Sequence, residues 1–126
     1  MDISRTGVIL NTENYEACVA FYQKVFGLPV MFKKHEGDFR LTCFKFGGSY
    51  LMIETEGVAK PAGKSIAENA TKLRINVNNI QETLQRLKYH GVDAQLEEFD
   101  WGTSINIMDP DGNRIGIRDE AKFLLR

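Results

Sequence analysis

The chain has 126 residues, 43% hydrophobic and 26% charged, with 16 Lys and Arg against 17 Asp and Glu and a formal net charge of −1. That is the composition of one soluble domain, long enough to bury a core without disulfides or a structural metal. Near-balanced charge without a long run of one sign gives no footprint for a nucleic-acid backbone or an anionic membrane surface, and the two histidines, His35 and His90, leave any metal site leaning on carboxylates.

The N-terminus lacks the basic stretch and apolar run of a signal peptide, and no apolar stretch approaches the ~20 residues of a membrane span, so a cytoplasmic location is expected. In a reducing compartment Cys18 and Cys43 are expected as free, small core or near-surface thiols, and neither has a motif that would make it a nucleophile.

Residues 5–11 read as a strand. A helix follows from about 14 to 26, where Tyr15, Val19, Tyr22, Val25 and Phe26 recur at three- and four-residue steps until Gly27 stops it. Extended stretches are expected at about 28–35, 38–46 and 49–55, with turns at Glu36-Gly37-Asp38 and Gly47-Gly48-Ser49. The first half is thus β-α-β-β-β. Around Pro61-Ala62-Gly63 the periodicity is lost, which reads as a linker or mobile surface loop over about 57–70.

The pattern then restarts. Residues 72–77 alternate strictly, Asn78-Asn79 can cap a helix, and Ile80, Leu84 and Leu87 mark its apolar face up to Gly91. Further strands are expected at 92–99, 102–108 and 113–118, with Asp109-Pro110-Asp111-Gly112 as a tight turn between the last two. Val8-Ile9-Leu10-Asn11 overlays Leu73-Arg74-Ile75-Asn76 at a spacing of about 65 residues, an internal repeat. Module one covers about 5–56 and module two about 71–119, with a tail at 120–126 whose Ala121-Lys122-Phe123-Leu124-Leu125-Arg126 is amphipathic.

One helix covers one face of each small sheet, so Val8 and Leu10, or Leu73, Ile75 and Val77, belong to that face. The other face carries Gly7, Ile9 and Asn11 in module one and Lys72, Arg74 and Asn76 in module two. Two readings stand: a polar face open to water, or two sheets curving around a shared hollow.

Two motifs sit at matching separation around this repeat. Ala20-Phe21-Tyr22-Gln23-Lys24-Val25-Phe26-Gly27-Leu28 is like an "FY-x-x-x-LG" helix end, and Asp109-Pro110-Asp111-Gly112-Asn113-Arg114-Ile115 is like a "DPDG" turn with its last strand. Through them the chain resembles, over nearly its whole length, the vicinal oxygen chelate superfamily of glyoxalase I, extradiol dioxygenases, fosfomycin-resistance enzymes and bleomycin-binding proteins. The resemblance implies an α+β fold of two βαβββ modules in a cupped mixed sheet, usually assembled as a homodimer.

Enzymes of that family hold a divalent metal on the first and last strand of each module, where it polarises substrate oxygens or activates water. The matching positions here are Gly7, Glu54, Lys72 and Gly116, and only Glu54 could bind a metal. No metal, cofactor or catalytic residue is therefore expected. Shifting the register to Thr6, Leu73, Ile115 or Ile117 gives no better set, and His35, beside a turn, and His90, in a last helical turn, read as solvated.

In the metal's place, Lys72 with Glu54, or Lys72 alone, is expected to fill the hollow. Arg74 and Arg118 share the alternation of Lys72 and Gly116, so the site is expected to be net positive, with Asn11 and Asn76 as neutral partners. The alternative is that these charges pair with Glu54, Asp100 or Asp119 in solvent. Trp101, Phe39 and Phe44 are candidates for stacking on a ligand, or for core or dimer packing.

Three functions follow. The first is a metal-free small-molecule-binding protein of the glyoxalase/bleomycin resistance type, with a site for a small anionic or polar ligand; the inner cations argue against cationic bleomycin itself. The second is a metal-dependent lyase or dioxygenase, against which the loss of three of four ligand positions weighs. The third is an interaction subunit with a vestigial cleft. The expected partners are a small-molecule ligand and a second copy of the chain, not nucleic acid or membrane.

Overall fold

The computed structural model of the chain describes residues 1–125. Its first unit, Met1–Pro61, is built on a mixed four-stranded sheet of order β1-β4-β3-β2. Strand β1 (Gly7–Asn11) runs parallel to β4 (Ser49–Glu54), while β3 (Phe39–Phe46) pairs antiparallel with β4 and with the edge strand β2 (Val30–Glu36). Strand alternation sends Leu10, Phe44, Leu51 and Ile53 to one face, and each is buried. Helix α1 (Tyr15–Ala20) covers that face, with Cys18 and Tyr22 completing the core. Burying each such large apolar side chain contributes about 1.5–3 kcal/mol.

The helix expected over 14–26 is α-helical only to Ala20, and Phe21–Val25 widens into a π-turn. The widened turn lets consecutive aromatics pack together. Phe21 meets Tyr22 edge-on at 5.2 Å and Phe26 at 5.3 Å, and Tyr22 stacks on Phe26 at 6.0 Å.

The second unit, from Ala62, repeats the plan with order β5-β8-β7-β6. Strand β5 (Leu73–Val77) is parallel to β8 (Arg114–Asp119); β7 (Gly102–Met108) pairs antiparallel with β8 and with the edge strand β6 (Glu97–Phe99). Helix α2 (Ile80–Tyr89) packs on β7 and β8, burying Leu87 against a face that holds Leu73, Ile105, Ile107, Ile115 and Ile117. Asn79 caps it, its side chain accepting from the Glu82 N–H at 3.1 Å.

The expected strand 92–99 shortens to three residues. Before it the chain is still leaving the helix: the Val92 N–H donates to the Leu87 carbonyl, and Ala94 is buried. In the turn between β7 and β8, Asp109 Oδ1 accepts from the N–H groups of Asp111 and Asn113, both at 2.9 Å, and Oδ2 accepts from Asn113 Nδ2. Gly112 adopts φ of 84°, which an L side chain rarely takes.

The segment expected as a linker is tied at both ends. The Gly57 N–H donates to the Thr12 carbonyl and the Ala59 N–H to Glu13 Oε1, while the Lys64 N–H donates to the Gly112 carbonyl. The tail forms a short 3-10 turn at Phe123–Leu125; Arg126 lies outside the described residues. No helix among the described residues is long and apolar enough to cross a membrane.

Candidate functional site

Each sheet has a face its own helix does not cover. In module two the register sets Gly116 between Arg74 and Asn106, and Arg118 between Asn76 and Ser104, so these residues share the open face. Arg114, two residues before Gly116, belongs to the same face. Lys72 stands just ahead of β5 and reaches across Gly116 to donate from Nζ to Asn106 Oδ1 at 3.0 Å. A Cβ on Gly116 would stand 2.9 Å from Lys72 Cε and 3.3 Å from Arg74 Nη1. The missing side chain is what lets the two cations lie down on the strand.

Around this point donors outnumber acceptors. Arg114 Nη2 donates to the Asn69 carbonyl at 3.1 Å, but its Nε is buried with no hydrogen-bond partner. Lys72 is exposed, yet shielding of its stem, and then the Arg74 and Arg114 charges, hold its ammonium below the usual lysine range; Glu97 pulls the other way. Arg74 is lowered by burial and then by Arg118.

Arg118 is 7% exposed and is used structurally. Its Nη2 donates to the Trp101 carbonyl at 2.8 Å and its Nε to the Asp119 carbonyl at 3.1 Å, with Asp119 Oδ1 3.6 Å away. Its guanidinium lies 4.8 Å from the centroid of the Trp101 ring and 5.2 Å from that of Phe123. Gly102 permits this: at φ of 142°, a Cβ there would come within 2.8 Å of Arg118 Nη2 and 2.6 Å of Asp119 Oδ1.

Trp101 stacks on Phe99 at 4.9 Å, nearly parallel, and the Arg74 guanidinium is 5.5 Å from its centroid. Much of its stacking surface is thus engaged within the module, although the residue is 36% exposed. Asn76 Nδ2 donates to Glu120 Oε1 at 2.9 Å, so this asparagine is also committed.

In module one the open face carries Gly7, Ile9, Asn11, Phe39, Tyr50, Met52 and Glu54. Asn11 and half-buried Glu54 are register partners, and Asn11 Nδ2 donates to the Thr55 carbonyl at 3.0 Å. The Tyr50 ring fills the space above Gly7, where a Cβ would stand 2.3 Å from its carbons. Phe39 is half-buried on this face. Phe44 is not on it. It is fully buried on the helix side with Thr42, whose Oγ1 meets Tyr15 Oη at 2.6 Å, so Phe44 packs the core and is withdrawn as a ligand-stacking residue.

Gly7 and Gly116 offer no donor atom and Lys72 offers a cation, so the residues at the family's ligand positions do not make a metal-binding set. Among the described residues no group of three or more His, Cys, Asp or Glu side chains is placed to hold a metal. His35 and His90 are exposed, and His35 Nε2 is 2.9 Å from the Gly37 carbonyl. Cys18 and Cys43 are buried free thiols; burial pushes the Cys43 thiol up, against a smaller downward pull from Arg5.

Residue reasoning missed Arg114, Asn106 and Glu97. The alternation that placed Arg118 on the open face places Arg114 there too, so it was legible. A hollow of about 290 Å³, on the helix side of module one between Tyr15, Glu16, Lys33, His35, Arg40 and Thr42, left no such trace. There Arg40 pairs with Glu16 and covers the Tyr15 ring at 4.7 Å.

Two βαβββ modules, each with an uncovered sheet face, define an α+β protein of the vicinal oxygen chelate type. Residues 4–117 match the family model described as the Glyoxalase/Bleomycin resistance protein/Dioxygenase superfamily, and the chain belongs to that superfamily. A glyoxalase family protein from Enterococcus faecalis is 25% identical, with TM-score 0.73 over 93% of this chain and 96% of that one. TnmS3, an antibiotic binding protein from Streptomyces sp. CB03234, is 18% identical, with TM-score 0.72 over 94% and 98%. The trypanothione-dependent glyoxalase I of Leishmania major is 16% identical, with TM-score 0.76 over 98% and 91%. The latter two likenesses show the fold alone. A search of curated proteins gave no match.

Proposed function

We propose that this chain is a metal-free small-molecule-binding protein that holds a small anionic or polar ligand on the open face of module two. The observation that carries this reading is the lysine and arginine laid over Gly116, at a position where the family's enzymes hold a metal ligand. Lys72 and Arg74 are the primary ligand contacts. Arg118 and Trp101 form a wall beside Arg74, and Asn76 flanks it. On module one, taken by itself, Glu54, Asn11 and Phe39 are proposed as ligand-binding residues of its own open face. Guanidinium forks suit carboxylate or phosphate groups, and the crowding of like charge around Lys72 is relieved when an anion binds. Family practice supports a homodimer.

The test has two arms. Metal analysis of the purified protein is expected to find no tightly bound transition metal, and one equivalent of Ni, Zn, Fe or Mn overturns the reading. Calorimetry with a panel of small organic acids is expected to detect binding that weakens with salt; no heat from any of them overturns the anion-binding part.

A further inference from the structure

We propose that the group recognised on this face is a dianionic phosphate, carried by a small phosphate monoester and bound by Lys72, Arg74 and Arg114 above Gly116. This rests on the reading that the open face of module two binds an anion, and it goes further by fixing the charge and the acceptor number of that anion.

Charge comes first. Lys72, Arg74 and Arg114 gather around Gly116, and the carboxylate acting on Lys72 is that of Glu97. The neighbouring acids are committed elsewhere. Asp119 faces Arg118 and the Thr103 N–H, Glu120 accepts from Asn76, and Glu98 accepts from the Thr103 hydroxyl. Three cations against one carboxylate leave an excess of two positive charges, which a carboxylate or sulfate ester would only half neutralise. A phosphate monoester carries close to two negative charges at neutral pH.

Hydrogen bonding leads to the same group. An ammonium and two guanidinium groups bring about thirteen N–H donors together. The acceptors met here are Asn106 Oδ1, already bonded to Lys72, the Asn69 carbonyl, already bonded to Arg114, and the Glu97 carboxylate, which accepts from Asn106 Nδ2 at 3.4 Å. A phosphate monoester supplies three terminal oxygens, each a strong acceptor. The glycine beneath leaves the room in which the Lys72 and Arg74 side chains converge over the strand.

The experiment compares phenyl phosphate, phenyl sulfate and inorganic phosphate by calorimetry on the full chain at pH 7.5, with Trp101 fluorescence as a second readout. Phenyl sulfate keeps the shape and a single charge, so it isolates the second charge. Phenyl phosphate is expected to bind about tenfold or more tighter than phenyl sulfate, and R114Q and K72Q are each expected to lose about tenfold for phenyl phosphate while keeping a native circular dichroism spectrum. Inorganic phosphate binding as tightly as phenyl phosphate supports the proposal with free phosphate as the source. Equal affinity for phenyl phosphate and phenyl sulfate, or native phosphate binding by both variants, overturns the dianion inference and leaves the anion-binding reading standing. Absence of binding by all three compounds overturns this inference, while the organic-acid panel decides the reading beneath it.

Discussion

Lys72 lies across Gly116, its Cε 2.9 Å from where a β-carbon on that glycine would stand. The contact is with the far end of a flexible side chain, so a methyl group there moves the lysine rather than the strand. Gly116→Ala is therefore expected to change unfolding stability by less than about 1 kcal/mol, since lower unfolded-state entropy offsets the crowding. Phenyl phosphate affinity is expected to fall about five- to tenfold, because the displaced ammonium no longer lies over the cradle. Urea unfolding and calorimetry on one preparation separate the two effects.

Arg118 behaves differently because its guanidinium sits between Trp101 and Phe123 and holds the Trp101 carbonyl. Arg118→Ala is expected to cost about 2–4 kcal/mol, through an unpaired carbonyl and lost ring contacts. Phe123→Ala is expected to cost less, about 0.5–1.5 kcal/mol, since only one side of the stack is lost. Urea denaturation followed by tryptophan emission reads both, and a larger loss for the Phe123 variant contradicts this ordering.

The buried Tyr15–Thr42 bond offers a check on module one away from the proposed site. Tyr15→Phe and Thr42→Val are each expected to cost about 1–2 kcal/mol by stranding the other hydroxyl, and the double variant less than their sum. Additive losses in a double-mutant cycle would show that the bond contributes nothing.

The depressed Lys72 ammonium sets the alkaline limit of binding. Its folded-state pKa lies below that of the unfolded chain, so between the two values the unfolded chain holds the extra proton. Stability attributable to this group therefore rises with pH through that window. Anion affinity runs the opposite way. It is full while Lys72 is charged and falls as pH rises through the lowered pKa, earlier than an ordinary lysine would allow. Lys72→Arg is expected to extend binding to higher pH, measured as phenyl phosphate affinity across pH 7 to 10.5.

Much of this was legible in the residues. The 65-residue repeat between Asn11 and Asn76, the helix cap at Asn79 and the Asp109 turn all come from local chemistry, and the structure has each of them. Parity along a strand carries more than the repeat does. Phe39 and Phe44 differ by an odd number and so face opposite ways, which already separates an open-face ring from a core ring; Arg114 and Gly116 differ by two and so share a face. What no spacing discloses is how side chains spend their hydrogen bonds. Arg118 and Asn76 look like free ligand contacts until their bonds to Trp101 and Glu120 are seen. The π-turn is equally hidden, because the apolar spacing from Tyr15 to Phe26 serves either helix width.

The Tyr50 ring over Gly7 gives the protein a one-way character. Placing a histidine or glutamate at position 7 drives its first carbon into that ring, and placing one at 116 drives it into Lys72. At 116 the flexible lysine can move aside, whereas at 7 the tyrosine ring itself has to shift. Building a metal ligand set on this chain therefore asks for a change at 50 alongside 7, and for removal of the Lys72 cation from above 116.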